Sequence, residues 1–363
     1  MIIRPAGLDT SSLPDGHYEL WAGRELQAEM PAIAGLLAGM AAGRSISLTL
    51  TGEQAGDARW AGDPLLPSGA SLGDGLLTIL TSGTTGTPKR ACNWIPGAMD
   101  RKRGGKRHER WLLSYSPWRW AGVSVTLHCL RFDGELIVPT ALDPEALMTA
   151  AAAGKTTHVS LTPSIFRMLL VRYSDADLAA LPLRQITFGG ETTSQATLDT
   201  AAAIWPKAHI THTYASSEFG DICAVSDGRA GIPSSKFEAF HLSPNNELYI
   251  DGRPTGDLWE LRGDRYHFLG RVEEMINVGG AKVSPFIVEE AALAVPGVRQ
   301  VRAHAVPSPI LGELVGLDYA GDVDPDRLGQ ALRETLPRVA WPAQLRRVET
   351  IELSDAGKMR RLG

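Results

Sequence analysis

The chain has 363 residues, 44% hydrophobic and 21% charged, a balance that fits a globular protein with a large core and excludes disordered and fibrous classes. The formal net charge of -5 argues against nucleic acid as the main partner, and no apolar run approaches a membrane-spanning length. The opening Met1-Ile2-Ile3-Arg4-Pro5 lacks the apolar core of a signal peptide, and Cys92, Cys129 and Cys223 stand far apart. They read as small buried hydrophobes in a reducing, cytoplasmic compartment.

From about residue 25 to 215, strand-like and helical segments alternate, the pattern of a layered α/β domain. Ile46–Leu50 and Leu76–Thr81 read as strands. The second runs into Thr81-Ser82-Gly83-Thr84-Thr85-Gly86-Thr87-Pro88-Lys89, a stretch made to wrap a polyphosphate. Its glycines let backbone N–H groups approach phosphate oxygens, hydroxyls add donors, and Lys89 adds charge. It is not the common P-loop, which ends Gly-Lys-Ser/Thr and opens a helix. The basic cluster Arg101, Lys102, Arg103, Lys106 and Arg107 reads as a solvated surface segment, with phosphate attraction as the alternative.

Trp111–Ser114 and Glu135–Val138 read as strands flanking a helix over Val123–Leu130. Asp143-Pro144 starts another helix, with a capping aspartate and proline at the first position. His158–Leu161 is strand-like and Pro163 opens a helix. Gln185–Phe188 runs into Gly189-Gly190-Glu191, and Ala208–Thr213 into Tyr214-Ala215-Ser216-Ser217-Glu218. Chemistry-bearing residues thus gather just past strand C-termini, where open α/β sheets bind ligands. His209 and His212 would point to opposite faces of a strand, which does not suit a zinc pair.

After residue 240 the texture changes to antiparallel hairpins: Glu247–Ile250 closed by Asp251-Gly252, and Leu258–Leu261 turning at Gly263-Asp264 into Tyr266–Leu269. A small α+β module follows, with helices over Pro285–Ala294 and Pro325–Leu336 and strands near Val298–Val306 and Glu313–Tyr319. The domain boundary falls near Arg271–Glu273, giving residues 1–271 and 272–363.

These motifs, in this order, resemble the adenylate-forming superfamily of acyl-CoA synthetases, luciferase-like enzymes and peptide-synthetase adenylation domains. The resemblance runs from about residue 76 to the C-terminus. It implies an α/β fold: a layered, large N-terminal domain binding nucleotide and substrate, with a small mobile α+β C-terminal domain. Thr81, Ser82, Gly83, Thr84, Thr85, Gly86 and Lys89 match the loop that grips the ATP phosphates. Gly189, Gly190 and Glu191 resemble the turn lying against adenine, although any tight turn could need the paired glycines. Tyr214-Ala215-Ser216-Ser217-Glu218 resembles Tyr-Gly-x-Thr-Glu, with Ala for Gly and Ser for Thr. There Tyr214 stacks near adenine, the Ser217 hydroxyl meets the α-phosphate and Glu218 holds Mg²⁺; a surface carboxylate at a helix start is the plainer reading of Glu218.

Asp257, in Thr255-Gly256-Asp257, resembles the carboxylate that accepts both ribose hydroxyls; a simple turn aspartate is the alternative. Arg271 resembles the residue reaching ribose or phosphate, and Glu273 sits at the hinge position, usually Asp or Lys. Asn277 replaces a frequent lysine. Gly279-Gly280 followed by Ala281-Lys282-Val283-Ser284-Pro285 resembles the loop lining the thiol tunnel in the CoA-ligase branch. Ser354-Asp355-Ala356-Gly357-Lys358 resembles the terminal motif whose lysine catalyses adenylation, with Glu352 where proline is usual.

The resemblance implies ATP, Mg²⁺ and, as co-substrate, CoA, acting on a small aromatic or dicarboxylic acid. The front end before Thr81 is shortened, similar to the short bacterial o-succinylbenzoate–CoA ligases. In Ser114-Tyr115-Ser116-Pro117-Trp118-Arg119-Trp120-Ala121-Gly122, Arg119 stands where the family carries an aromatic or His gate. Arg119 could pair a second anion of the substrate while Trp118 and Trp120 wall the pocket, or it could simply stack on tryptophan. Ser164, Phe188 and Ser216 are the expected pocket neighbours. The alternative acceptors are an amine, a carrier protein or another nucleophile. A non-catalytic AMP-binding scaffold is opposed by the joint presence of Glu218, Asp257 and Lys358.

Overall fold

The computed structural model describes residues 1–21, 25–51, 75–81, 89–237 and 240–351. They separate into two units. Residues 1–162, 172–190 and 201–226 form the first, and 163–171, 191–200 and the chain from Asp227 onward form the second. No described helix is long and apolar enough to cross a membrane.

Short β-branched and apolar runs build a seven-stranded sheet in the first unit. Its order is Ile2–Ile3, Glu135–Ile137, Arg110–Leu112, His158–Leu161, Gln185–Phe188, His209–Ser216, Gly220–Val225. Pairing is parallel from Glu135–Ile137 through His209–Ser216 and antiparallel at both edges. A four-stranded sheet orders Gly16–Trp21, Ile46–Thr51, Leu76–Thr81 and Lys89–Trp94, with the last strand antiparallel. The helix Leu26–Ala41 presents Met30, Ile33, Leu37 and Met40, all fully buried, to the same core cluster as Leu48, Leu50, Leu77 and Ile79. Such burial is the dominant favourable term in the fold.

Local chemistry explains the helix starts. Asp143 accepts hydrogen bonds from the backbone N–H groups of Glu145 and Ala146, with Pro144 at the first helical position, as its sequence predicts. The helix predicted over Val123–Leu130 is longer, Trp120–Phe132, and ends at Asp133 in the left-handed region (φ 54°). Gly122, the third residue of this helix, lies where the segment before it passes close by. A Cβ on it would stand 2.4 Å from the Ser116 carbonyl oxygen and 2.9 Å from Pro117 Cα.

The second unit holds two further sheets. One orders Ile232–Pro233, Arg265–Arg271, Arg253–Arg262, Glu247–Ile250 and His241–Leu242, antiparallel throughout. The predicted turns are there: Asp251 and Gly252 both adopt positive φ (50° and 72°), as a two-residue hairpin loop requires. The other sheet pairs Val298–Ser308 with Gly312–Gly321 and packs on helices Pro285–Leu293 and Pro325–Thr335. Val288, Leu317, Tyr319, Leu328 and Leu332 are fully buried there.

Two expectations change. Lys102, read as part of a solvated basic segment, is buried. Cys92 and Cys129 are buried as expected, but Cys223 is only half-buried, on the edge strand Gly220–Val225.

At the amino ends of the parallel strands, Glu109 is buried in a ring of donors. Its Oε2 accepts from Trp111 Nε1 at 3.0 Å and faces His128 Nε2 at 3.2 Å. Its Oε1 accepts from the Lys106 N–H at 2.8 Å and faces His158 Nε2 at 3.4 Å. Burial pushes this carboxyl up, but His128, His158, Trp111 and Lys106 together outweigh it and hold the group well below the ordinary carboxylate range.

Two tests follow from this packing. Gly122→Ala should lower stability by about 2 kcal/mol, because backbone rather than a flexible side chain must give way; urea unfolding with an unchanged midpoint would contradict it. For Glu109 the folded value lies below the unfolded one, about 4.3. Its stabilisation is therefore complete above about pH 5 and lost as pH falls further. Glu109→Gln should cost about 2 kcal/mol at pH 7, a gap that narrows below about pH 4 in urea unfolding across a pH series.

Candidate functional site

In the first unit the strands His158–Leu161, Gln185–Phe188 and His209–Ser216 run parallel, with Leu161 beside Phe188 and Phe188 beside His212. Their carboxyl ends therefore lie along one edge of the sheet. Past Phe188 the chain turns at Gly189 and Gly190, the latter at φ 81°. Gly189 donates its N–H to Leu161 O at 3.1 Å, and its carbonyl accepts from Tyr115 Oη at 3.3 Å. Thr213 Oγ1 donates to Phe188 O at 3.3 Å and would stand 2.7 Å from a Cβ on Gly189. The close approach of this hydroxyl explains the glycine. Tyr115, buried in the segment that precedes the tryptophans, is thus a support of this turn.

The strand His209–Ser216 does not run into a helix start at Glu218. It reverses in a hairpin with Gly220–Val225, pairing Ser216 with Gly220, so that Ser217, Glu218 and Phe219 form the turn. Gly220 at φ 70° takes the left-handed position that such loops need. Ser216 Oγ accepts from the Phe219 N–H at 3.1 Å and closes it. Tyr214, Ser216, Ser217 and Glu218 are all half-buried.

Next along the hairpin, Asp221 gathers donors from two other elements: Lys102 Nζ at 2.6 Å, Trp120 Nε1 at 2.9 Å and Ser124 Oγ at 3.1 Å. Desolvation raises this carboxyl, but Lys102, Trp120 and Ser124 together more than offset it and hold it below its ordinary value. Its side chain keeps 43% exposure, so solvent screening weakens the pair. Trp118 and Trp120, the expected pocket walls, are both buried, and Arg119 between them is the N-cap residue of the helix Trp120–Phe132. Phe188 is fully buried in the sheet.

In the second unit, Ser164 is the second residue of the helix Pro163–Arg172. Its backbone N–H donates to Glu191 Oε2 at 3.0 Å and its Oγ accepts from Arg167 at 2.9 Å. Glu191, read as part of the adenine turn, thus satisfies an orphan N–H of a helix terminus. Asp257 and Arg271, distant in sequence, are cross-strand partners, with Arg271 Nε 3.2 Å from Asp257 Oδ1. Asp257 is buried, while Arg271 stays 38% exposed and also lies 3.9 Å from Glu273. Thr255 Oγ1 accepts from the Asp257 N–H at 3.1 Å and donates to Leu248 O at 2.9 Å, fixing the turn before the aspartate. Glu273 lies in the single helical turn Val272–Glu274, which joins strands of two different sheets. Gly279 and Gly280, at φ 58° and 92°, form the two-residue loop of a hairpin between Ile276–Val278 and Ala281–Val283.

Two expected groups lie outside the described residues: the loop residues Ser82, Gly83, Thr84, Thr85 and Gly86, and the terminal Lys358. The ends of that loop are described: Thr81 pairs with Lys89 across antiparallel strands.

Comparison with known proteins agrees with this arrangement. A family described as AMP-binding enzyme matches residues 28–263. A feruloyl-CoA synthase of Amycolatopsis sp is 27% identical over 391 aligned positions, covering 93% of this chain and 78% of that protein. Among solved structures, a variant of E. coli MenE with bound OSB-AMS superposes with a TM-score of 0.68 at 18% identity, covering 93% of this chain and 85% of the other. The amide bond synthetase McbA from Marinactinospora thermotolerans gives 0.66 at 18% identity, covering 98% and 89%. At such identities the structures speak to the fold, which is that of the adenylate-forming enzymes. With its glycine turn and its glutamate hairpin at the carboxyl edge of a parallel sheet, the chain belongs to the AMP-binding enzyme family.

Proposed function

We propose that this protein activates a small aromatic or dicarboxylic acid as its acyl-adenylate, using ATP, and passes the acyl group to CoA. The observation that carries the reading is the emergence of the Gly189-Gly190 turn and the Ser217-Glu218-Phe219 turn from neighbouring parallel strands at one edge. That edge is where α/β sheets take nucleotides.

In the first step an oxygen of the acid attacks the α-phosphorus and the bond to pyrophosphate breaks. In the second a thiolate attacks the acyl carbon and AMP leaves. Attack of an anion on a polyanion needs charge neutralisation more than acid–base help. Thr81 to Lys89 would cradle the phosphates, Gly189 and Gly190 would lie along adenine, and Tyr214 would stack beside it. Ser217 would meet the α-phosphate, Asp257 would accept the ribose hydroxyls, and Arg271 would reach ribose or phosphate.

Magnesium suits the donor set. Glu218 offers one hard carboxylate at a turn flanked by the Ser216 and Ser217 hydroxyls, which matches an ion that keeps waters and arrives on phosphates. When bound it would neutralise phosphate charge. Residues 272–363 would turn about Glu273 between the steps, withdrawing Lys358 and bringing Gly279-Gly280 forward for thiol attack. The two indoles support a flat acid and Arg119 a second anionic group, in keeping with relatives named feruloyl-CoA synthase and 2-succinylbenzoate–CoA ligase. The widely separated cysteines support a cytoplasmic location for the reaction.

Arg119 at the usual gate position supports a second reading, transfer to an amine or carrier protein. Pyrophosphate release with a panel of aromatic and dicarboxylic acids, with and without CoA, separates the two. Acid-dependent release with acyl-CoA formed supports the first; acid-dependent release with no thioester supports the second; no release with any acid counts against both.

Lys358→Ala should lower acid-dependent pyrophosphate release by about a hundredfold or more while sparing thioester formation from a preformed adenylate. Equal loss in both half-reactions would refute the assignment. Asp257→Asn should raise the KM for ATP about tenfold with a smaller effect on kcat, read from steady-state kinetics.

A further inference from the structure

The Glu218 turn is short and lies at a sheet edge, where a lone hairpin is only marginally stable. Two anchors tie it to other elements of the first unit. Asn93, buried on the strand Lys89–Trp94, donates Nδ2–H to Ser217 O at 2.7 Å. That carbonyl belongs to the peptide unit joining Ser217 to Glu218, so fixing it fixes the plane from which the glutamate departs.

The second anchor is Asp221, whose carboxylate is tied to Lys102, Trp120 and Ser124. Lysine is almost never buried unless paired, and Lys102, with its side chain 8% exposed, has its ammonium on Asp221. The two anchors meet at Gly220: a Cβ there would lie 3.2 Å from the Trp120 ring and 3.4 Å from Asn93 Oδ1. Little room is left for the turn to pivot.

We propose that Asn93 and the Asp221–Lys102 pair are positioning residues that hold the Ser217-Glu218-Phe219 turn so that the Glu218 carboxylate meets metal-bound ATP in one orientation. This rests on the reading of Glu218 given above. A partner that orients a ligating group typically accounts for ten- to hundredfold in metal affinity.

The test is calorimetric titration of the full chain with Mn·ATP, and with ATP in EDTA, alongside thermal unfolding. Asn93→Ala should weaken Mn·ATP about tenfold, leave metal-free ATP uptake within about twofold, and shift Tm by only a few degrees, as the loss of one hydrogen bond would. Lys102→Arg should retain more Mn·ATP affinity than Lys102→Met. In a Glu218→Gln background Asn93→Ala should add less than about twofold, because the group it orients is already gone. Unchanged Mn·ATP binding in Asn93→Ala overturns the proposal, as does a full multiplicative loss in the double variant or an equal loss with and without metal. A wild-type protein that takes up neither form of ATP overturns the functional reading itself, a different outcome from a wild type that binds normally beside an unaffected Asn93→Ala.

Discussion

The parallel register that sets Leu161 beside Phe188 and Phe188 beside His212 is the constraint from which the first unit's site follows. Parallel neighbours end at the same edge, so whatever the chain writes after each strand is delivered to one place. Gly189-Gly190 follows one strand and Tyr214 to Glu218 ends the next. The sheet does not choose the chemistry, but it makes short segments distant in sequence act as neighbours. At its amino end the strand His158–Leu161 is tied through His158 to the buried Glu109, which also holds His128 of the helix Trp120–Phe132.

Features carried by local chemistry were legible in the sequence. The Asp143 cap, the Asp251-Gly252 turn and the strand before Gly189 stand where propensity, capping and alternation put them, because each depends on residues within a few positions; the next strand runs on through Tyr214 to Ser216. What failed depends on partners far away. Glu218 reads as a helix start until Gly220–Val225 folds back on His209–Ser216. Lys102 reads as one charge in a basic run; its partner Asp221 lies 119 positions away. The pairing of Asp257 with Arg271 could not be read from either motif alone, although the hairpin joining them could.

Buried charges meet more exposed partners beside the segments of interest: Lys102 with Asp221, and Asp257 with Arg271, which also lies near Glu273. Such pairs are poor sources of stability, since desolvation cancels much of their attraction, whereas breaking one leaves a charge without compensation. Their value here is directional. An arginine fork or an ammonium shared between a carboxylate and a hydroxyl tolerates few geometries, and each pair sits beside a residue whose orientation would matter to a bound nucleotide. The contrast is Asp318, whose pairing with Arg302 and Arg346 ties adjacent strands of the second unit together and needs no ligand to explain it.

Trp120 shows why the acid side of the site is harder to decode than the nucleotide side. In the proposed reading, phosphate, ribose and adenine would be met by backbone turns and short polar side chains, whose patterns survive in sequence. The acid would be met by packed rings, and packing rewards any side chain of suitable volume. Trp120 has a second commitment: its indole N–H is bonded to Asp221 and its ring lies against Gly220. Its polar edge therefore serves the Glu218 hairpin, and only its ring face could serve an acid. A substitution at Trp120 would disturb both at once, and a loss of activity there would not by itself report on substrate choice. Specificity would be read more cleanly at Arg119, which is half-buried at the helix terminus between two buried tryptophans.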